Sequence, residues 1–421
     1  MRFRDVIIWL VCVCVSAGLF IVAGMRLDYI NSKRAEMNLT ATEPLENAPP
    51  SLAFATVAMG AFRGLVVDVL WMRADRLKQQ GQFFDAKQLA EWITTLQPRF
   101  SAVWAFQAWN MAYNISVCLP ASQPEQRWHW VKNGYELLRD RGLVACPKNI
   151  ELYRELAWIF QHKIGGVSDD AHKYYKLQLA LAMEPLVSPS DKDGAWRKPN
   201  EYFRALAQAP KDWQEIIADS NVAGFVESLR SADKAFSELT LETSDGQEQF
   251  VNNYLTLRDN PSKFSAAAFD VINDFRGTDT LKKFDIFAKA YQLRRVWKLD
   301  PVLMEQLNDT YGPIDFNDPN KHLPLDWRHP DTHAIYWAVK GLQVASESEF
   351  SVDEANTDRI VAHSLQNLFR NGRIFIWKQR VVDRKQENQS AGTRYEIFLR
   401  PDLRMFAPYN QAILAILKKY K

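Results

Sequence analysis

The sequence predicts a mainly α protein built from an N-terminal transmembrane helix, an array of helix-turn-helix repeats and a small β-hairpin near the C-terminus. Three observations carry that expectation. The chain has 17 Gly and 19 Pro in 421 residues, too few for a turn-dense β protein, while its Ala, Leu, Gln, Lys and Arg favour helix. A run of twenty residues without a charge lies near the N-terminus. A pattern of Pro, aromatic and small residues recurs through the first half of the chain. The balance of 52 Lys and Arg against 50 Asp and Glu, with 47% hydrophobic residues, excludes a disordered, collagenous or nucleic-acid-coating chain. With 14 Trp, 14 Tyr and 24 Phe the core is bulky, and rings are left over for docking surface.

The uncharged run extends from Val6 to Met25 (VIIWLVCVCVSAGLFIVAGM). At ~1.5 Å rise per residue it spans the ~30 Å hydrocarbon core of a bilayer. A cleaved signal peptide ending at Val22-Ala23-Gly24 is the competing reading, but the run exceeds the usual apolar region of such peptides, which favours a retained single-pass anchor. Arg2 and Arg4 before it and Arg26, Lys33 and Arg34 after it leave the positive-inside rule nearly silent. The short tail ahead of the anchor suits a cytoplasmic N-terminus and a body outside the cytoplasm. Cys12 and Cys14 fall inside the run. Cys118 and Cys146 end the two helices of one predicted hairpin, roughly 30 Å apart, and are expected as free, buried thiols.

Residues 38–50 (NLTATEPLENAPP) hold three Pro and read as a linker. The stretch from Leu52 to Trp71 resembles a second span, but Arg63 and Asp68 interrupt it, so a buried or membrane-grazing helix is expected. The organisation predicted is a tail and anchor over 1–25, a linker over 26–50, repeats over 51–190, a helical region over 191–300, and a module with the hairpin and a terminal helix over 301–421.

The repeat is the most informative feature. Pro98 is followed by Trp104 and Ala108-Trp109, and the same order returns 49 residues later as Pro147, Tyr153 and Ala157-Trp158. Ala74 precedes Ala108 by 34 residues, with Gly81 and Ala86 ahead of Pro98, and 34 is the period of a helix-turn-helix repeat. Such a pair needs a small residue where its helices cross, aromatic ridges beside it, and a Pro that stops the second helix. On these residues, with Ala171, Tyr175 and Pro185 in the third unit, the segment 51–185 resembles the tetratricopeptide-repeat family. It departs from the family by an insertion around Leu119 to Arg127 and another at Gly165-Gly166. The stretches GAFRGLVVDVLWMRAD, PRFSAVWAFQAWNMAYNIS, ELYRELAWIFQHKIG and PLDWRHPDTHAIYWA also resemble uncharacterised membrane-anchored bacterial proteins with such repeats. That resemblance implies a bacterial inner-membrane protein with its body in the periplasm, and no particular activity.

Beyond Pro185, the stripe Ile286, Ala290, Leu293 and Trp297 marks a helix, and Pro330 with Tyr336 echoes the repeat. RIFIWKQRVV from Arg373 and RYEIFLR from Arg394 predict the two strands of the hairpin, and Met405, Tyr409, Ala412, Ile413, Ile416 and Leu417 a terminal amphipathic helix.

Three constellations stand out. Residue-by-residue matching to the repeat family implies a groove lined by Trp71, Asp75, Trp109, Tyr113, Arg154, Trp158 and His162, where rings beside isolated charges grip a peptide; inter-repeat core is the plainer reading. The Lys and Asn set that clamps a peptide carboxylate in some family members is absent. His322, Asp326, His329, Asp331 and His333 offer metal-ligand chemistry, with His329 and His333 four apart as helical ligands can be and His322, Asp331 and His333 the candidate set, but Pro330 marks a helix start there and favours a structural role. From Arg370 to Arg404 nine basic residues face four acids, a net +5 suited to lipid headgroups, an acidic polysaccharide or an acidic partner, or to a merely solvated hairpin. Phosphate loops, H-E-x-x-H, G-x-S-x-G and C-x-x-C-H are missing. No cofactor, enzyme activity or nucleic-acid partner is therefore expected. The function expected is a membrane-anchored scaffold for proteins of an envelope complex. The alternatives are a metal-dependent envelope enzyme using the histidine cluster and a permanently covered structural subunit.

Overall fold

Prolines, capping side chains and glycines divide the chain into helices. The computed structural model describes residues 63–188, 199–345, 352–381 and 392–420, with Cys14, Val15, Ser16, Gly18, Arg26, Tyr29 and Lys33 as isolated helical positions. The rest of the predicted anchor, the linker and most of the stretch from Leu52 to Trp71 lie outside the described residues. Among the described residues no helix is long and apolar enough to cross a membrane.

Helices α1 (Arg63–Gln79) and α2 (Phe83–Leu96) are joined through Gly81, whose φ of +75° explains the glycine. Ala74 and Ala86 are fully buried where they meet. The second pair is α3 (Ser101–Trp109), continued by a π-helical stretch Asn110–Ile115 and the turn Ser116–Cys118, and α4 (Pro124–Leu137), continued by a second π stretch Leu138–Gly142 and Leu143–Ala145. At their crossing, a Cβ on Gly134 would lie 2.8 Å from the Ala108 carbonyl oxygen and 3.0 Å from Ala112 Cβ, so only glycine fits. The third pair is α5 (Ile150–Trp158), with a π stretch Ile159–Ile164, and α6 (His172–Val187).

The recurring Pro and aromatic spacing has a physical cause. Trp104 Nε1 donates to the Pro98 carbonyl oxygen at 2.7 Å, and Tyr153 Oη donates to that of Pro147 at 3.1 Å. In both units the proline sits three residues ahead of the helix, so a ring donor six residues on reaches back to close the loop. The echo at Pro330 works differently. Pro330 opens its helix, α15 below, and the Tyr336 hydroxyl instead accepts from the Asp300 amide at 2.7 Å.

After the pairs come α7 (Pro199–Gln208), α8 (Trp213–Ile217), α9 (Ser220–Ala232), α10 (Lys234–Ser237), α11 (Ser244–Asp259), α12 (Ala266–Asp274), α13 (Asp279–Arg295) and α14 (Pro301–Tyr311). Side chains of Asp212, Asp219, Asp233, Thr243, Ser265, Thr278 and Asp300 accept from amides in the first turns of α8–α14, which is how this region starts so many helices. Helices α8–α13 pack a core of their own around Trp213, Phe225, Phe250 and Phe284. Helix α13 faces both cores: Ile286, Ala290 and Leu293, with Trp297 beyond its end, pack on the main one as the stripe predicts, while Phe284, Phe287 and Tyr291 face the second.

A short ladder, β1 (Ile314–Asp315) with β2 (Asp318–His322), leads to α15 (Pro330–Ala345) and α16 (Val352–Asn371). Helix α15 lies against α5 so closely that a Cβ on Gly341 would sit 2.7 Å from Tyr153 Cβ. Gly341→Ala is expected to cost about 1–3 kcal/mol by overpacking, read as a lower urea midpoint with an unchanged slope. Strands β3 (Arg373–Val381) and β4 (Gly392–Arg400) form the antiparallel hairpin, and α17 (Phe406–Lys419) closes the chain. The inner face of the hairpin sets Ile374, Ile376, Ile397 and Leu399 against Leu177, Ala180 and Leu181 of α6. One thiol departs from expectation: Cys146 is buried, but Cys118 is exposed, because it ends its helix at the insertion that turns away from the core.

Candidate functional site

Helices α3 and α5 lie side by side, and each switches from α to π geometry at the same repeat position, the stretches Asn110–Ile115 and Ile159–Ile164 being 49 residues apart. A π turn closes i→i+5 bonds and is wider than an α turn, so side chains four apart come closer into line. Trp109 and Tyr113 straddle the first switch and stack, 5.0 Å between ring centroids and 21° between planes. Trp158 and His162 straddle the second and stack at 4.7 Å and 7°. Tyr113 and His162 join the two stacks, 5.8 Å between rings and 3.3 Å between Oη and Nδ1. The result is a continuous ladder of four rings, half-buried, with Trp109 36% exposed at its open end. Lys78 of α1 holds its ammonium 5.1 Å from the Trp109 ring and 5.2 Å from Phe106.

The remaining residues assigned to the groove fall around this ladder. Trp71 packs edge-on against Phe106 at 5.0 Å and near Phe100, so it belongs to the small core between α1, α2 and α3. Asp75 accepts from Gln79 Nε2 at 2.8 Å on the α1 surface. Arg154 is held by Asp353 of α16 and by Glu155 at 2.8 Å. Helix α16 thus takes up the charge at that end of the row.

Beside Tyr113 a cavity of about 300 Å³ is lined by Val117, Arg127, Lys163, Ser168, Asp169 and Asp170. Its floor is a buried charge node. Asp169 accepts from Lys163 Nζ at 2.6 Å, Arg127 Nη1 at 3.1 Å, the Ala171 amide at 2.9 Å and Tyr175 Oη at 3.2 Å. Burial works to raise this carboxyl, but the Lys163 ammonium, the Ala171 amide and Arg127 outweigh it and hold Asp169 below its usual range. Lys163 also lies 5.2 Å over the Tyr113 ring, linking node to ladder. Burial, reinforced by Glu155, pushes the Tyr113 phenol up, and burial with Lys163 alongside holds the His162 imidazole below its usual value. Tyr113 therefore stays a neutral phenol and His162 a neutral imidazole at pH 7.

None of the node residues was flagged by motif or spacing. The signal available was the pair of insertions that break the repeat period, because Arg127 Nε donates to Leu119 O at 2.8 Å within the first insertion while Asp169 follows the Gly165-Gly166 insertion. The two irregular segments meet at Arg127 and Asp169.

The histidine cluster divides. His322 Nδ1 donates to the Gly312 carbonyl at 2.7 Å on β2. His333, fully buried, donates Nε2–H to Trp327 O at 2.9 Å and stacks on Phe160 at 5.0 Å. His329 Nδ1 accepts from the Asp331 amide at 3.2 Å, and Asp331 Oδ1 accepts from Asn367 Nδ2 at 2.9 Å. Asp326 is bound side-on by Arg328, at 2.8 and 2.7 Å. Among the described residues no three His, Cys, Asp or Glu side chains come together as a metal set. What does assemble is an interior polar cluster between α5, α6, α15 and α16, in which Asp331 joins Ser364, Gln161 and Lys176. Lys176 Nζ donates to the Gly166 carbonyl at 2.6 Å, and a Cβ on Gly165 would lie 3.1 Å from Asp331 Oδ2, so the glycine insertion is packed onto this cluster. The turn at Asp315 to Asp318 is closed by Asp315 accepting from the Asn317 amide at 3.0 Å. Comparison with known proteins finds no match to any family model, curated protein or solved structure.

Proposed function

We propose that the chain is a membrane-anchored scaffold of tetratricopeptide-like repeats, in which the ladder Trp109–Tyr113–His162–Trp158 and the adjoining cavity bind a segment of a partner protein in a bacterial envelope complex. The observation that carries this reading is the ladder itself. Two rings at equivalent repeat positions on each of two neighbouring helices stack into one partly exposed row, with the Lys78 ammonium at its Trp109 end and the Asp169 node beside Tyr113. Flat rings with a polar edge offer a partner contact area at low entropic cost, and Trp and Tyr dominate binding energetics at interfaces. Neutral Tyr113 and His162 present a hydroxyl and an imidazole for directed hydrogen bonds without the cost of burying a charge. The uncharged run of residues 6–25 would confine the body to a bilayer and raise its effective concentration toward partners in the same membrane.

Affinity purification of tagged full-length protein from its native membrane in mild detergent, followed by mass spectrometry, tests the reading. A stoichiometric set of envelope proteins is expected. The double variant Trp109→Ala, Trp158→Ala is expected to weaken their retention by at least about tenfold, two hot-spot rings being lost. A monomer with nothing bound, or retention indifferent to both substitutions, would remove this reading.

A further inference from the structure

The outer face of the β3–β4 hairpin is not used by the groove. Side chains alternate along each strand, so the residues opposite those packed on α6 point outward: Arg373 with Arg400, Phe375 with Phe398, Trp377 with Glu396, and Gln379 with Arg394. This face keeps Phe375 44%, Trp377 66% and Phe398 50% exposed. Arg373 and Arg400 stand directly across from one another, and both guanidinium groups lie over the Phe375 ring, at 5.7 and 5.6 Å. Like charges opposite one another destabilise a sheet. Among the described residues neither of these arginines has a carboxylate partner, whereas Arg394 has Glu396 at 3.5 Å and Arg404 has Asp402 at 2.6 Å. The face therefore joins exposed aromatic rings to a repelling pair of uncompensated cations.

We propose that this face docks on the anionic surface of a phospholipid bilayer, with Arg373 and Arg400 taking lipid phosphates and Phe375, Trp377 and Phe398 seated at the headgroup level. Charge complementarity selects the occupant. Phosphate oxygens relieve the Arg373–Arg400 repulsion through the planar donor fork of arginine. Amphipathic Trp is enriched where headgroups meet hydrocarbon, and basic side chains are drawn to anionic leaflets. The exposed rings Phe375, Trp377 and Phe398 stand together on one side of a two-stranded sheet, an arrangement that suits a broad surface. This docking stands apart from the partner groove, since it uses the opposite side of the hairpin from α6, and either can hold without the other.

The test places a cysteine at exposed Gln379 on the same face, in the full-length chain, and follows its labelling by a charged maleimide, read at that peptide by mass. Vesicles of phosphatidylcholine alone are compared with vesicles that also carry phosphatidylglycerol, at low and high salt. Labelling is expected to slow by about tenfold on the anionic vesicles only and to recover at high salt. The pair Arg373→Glu, Arg400→Glu is expected to abolish the slowing. Should charge reversal disturb the hairpin itself, shown by faster labelling in detergent, the pair Arg373→Gln, Arg400→Gln decides in its place. Equal labelling on anionic and neutral vesicles, or slowing that survives both pairs, would overturn the proposal, and the second result would point to a protein or neutral-lipid contact.

Discussion

Replacing Asp169 with alanine is expected to destabilise the protein by about 3–5 kcal/mol, because it leaves two cations buried without their counter-ion. The side chains of Lys163 and Arg127 are only 4% and 9% exposed. With Asp169 gone, Lys163 and Arg127 lose the carboxylate that both donate to, and the Ala171 amide and Tyr175 hydroxyl lose their acceptor as well. Equilibrium urea unfolding measures the cost. The double variant Asp169→Ala, Lys163→Met is expected to regain part of the loss, since a methionine removes one orphaned charge while keeping the volume. A double variant no more stable than the single one would mean that Asp169 acts through the loop backbone at Ala171 instead. The effect reaches the proposed groove too, because Lys163 is the contact between the node and Tyr113.

The interior cluster sets the second large effect, on the pH dependence of stability. Burial holds the His329 and His333 imidazoles down at about 3 and about 4 and lifts the Asp331 carboxyl to about 7. The folded histidines sit below their unfolded value of 6.5, so their contribution is complete above pH 6.5 and is lost as pH falls toward their folded values. Asp331 acts in the opposite sense. Raised above its unfolded 3.8, its contribution is complete below that pH and is lost as pH rises through about 7. Lys176, lowered by burial to about 8 from 10.5, loses its contribution as pH falls through 8 and adds no slope below it.

Between about pH 6 and pH 4.5 the unfolded chain therefore binds two protons on these histidines while the folded chain binds one, on Asp331. These groups make stability fall by about 1.4 kcal/mol per pH unit on acidification. Asp331→Asn keeps the oxygen that faces Asn367 but can no longer take up a proton in the folded state. Its slope is expected to be steeper by about another 1.4 kcal/mol per unit. His162 and His172, also held below the usual imidazole value by burial, steepen both proteins alike and leave the difference intact. Denaturant titrations at four or five pH values measure it, and parallel slopes would show that Asp331 is ionised in the folded protein.

Local patterns were legible in the sequence where one short segment decides them. The strands from Arg373 and Arg394 are found by β-branched and aromatic content, the stripe of Ile286, Ala290, Leu293 and Trp297 by helical period, and the recurrence of Pro98 with Trp104 as Pro147 with Tyr153 by a repeated spacing, although the bonds behind that spacing were not read from it. The site was half legible. Trp109, Tyr113, Trp158 and His162 do come together, but the switch to π geometry that stacks them depends on packing between helices and leaves no mark in hydrophobic period. Arg154 and Trp71 are drawn to other neighbours for a related reason: which neighbour covers a helical face is set by a segment 199 residues away in the one case and by the α1–α3 contact in the other. The same holds for His322, His329 and His333, close in sequence but separated when the β1–β2 ladder holds His322 at Gly312 and the helix start at Pro330 turns His329 and His333 to Asp331 and Trp327.

Helix α13 is a wall common to two rooms. Eleven of its residues are buried, some facing the Tyr135 and Phe160 side of the molecule and others the Phe250 and Phe284 side. Neither compartment can open without stripping one flank of that wall, so the two should melt as one cooperative unit, and the amides of α13 should exchange with solvent only at the rate of complete unfolding. A load applied between the repeat pairs and the α8–α12 bundle would then be borne by this helix rather than dissipated in a hinge.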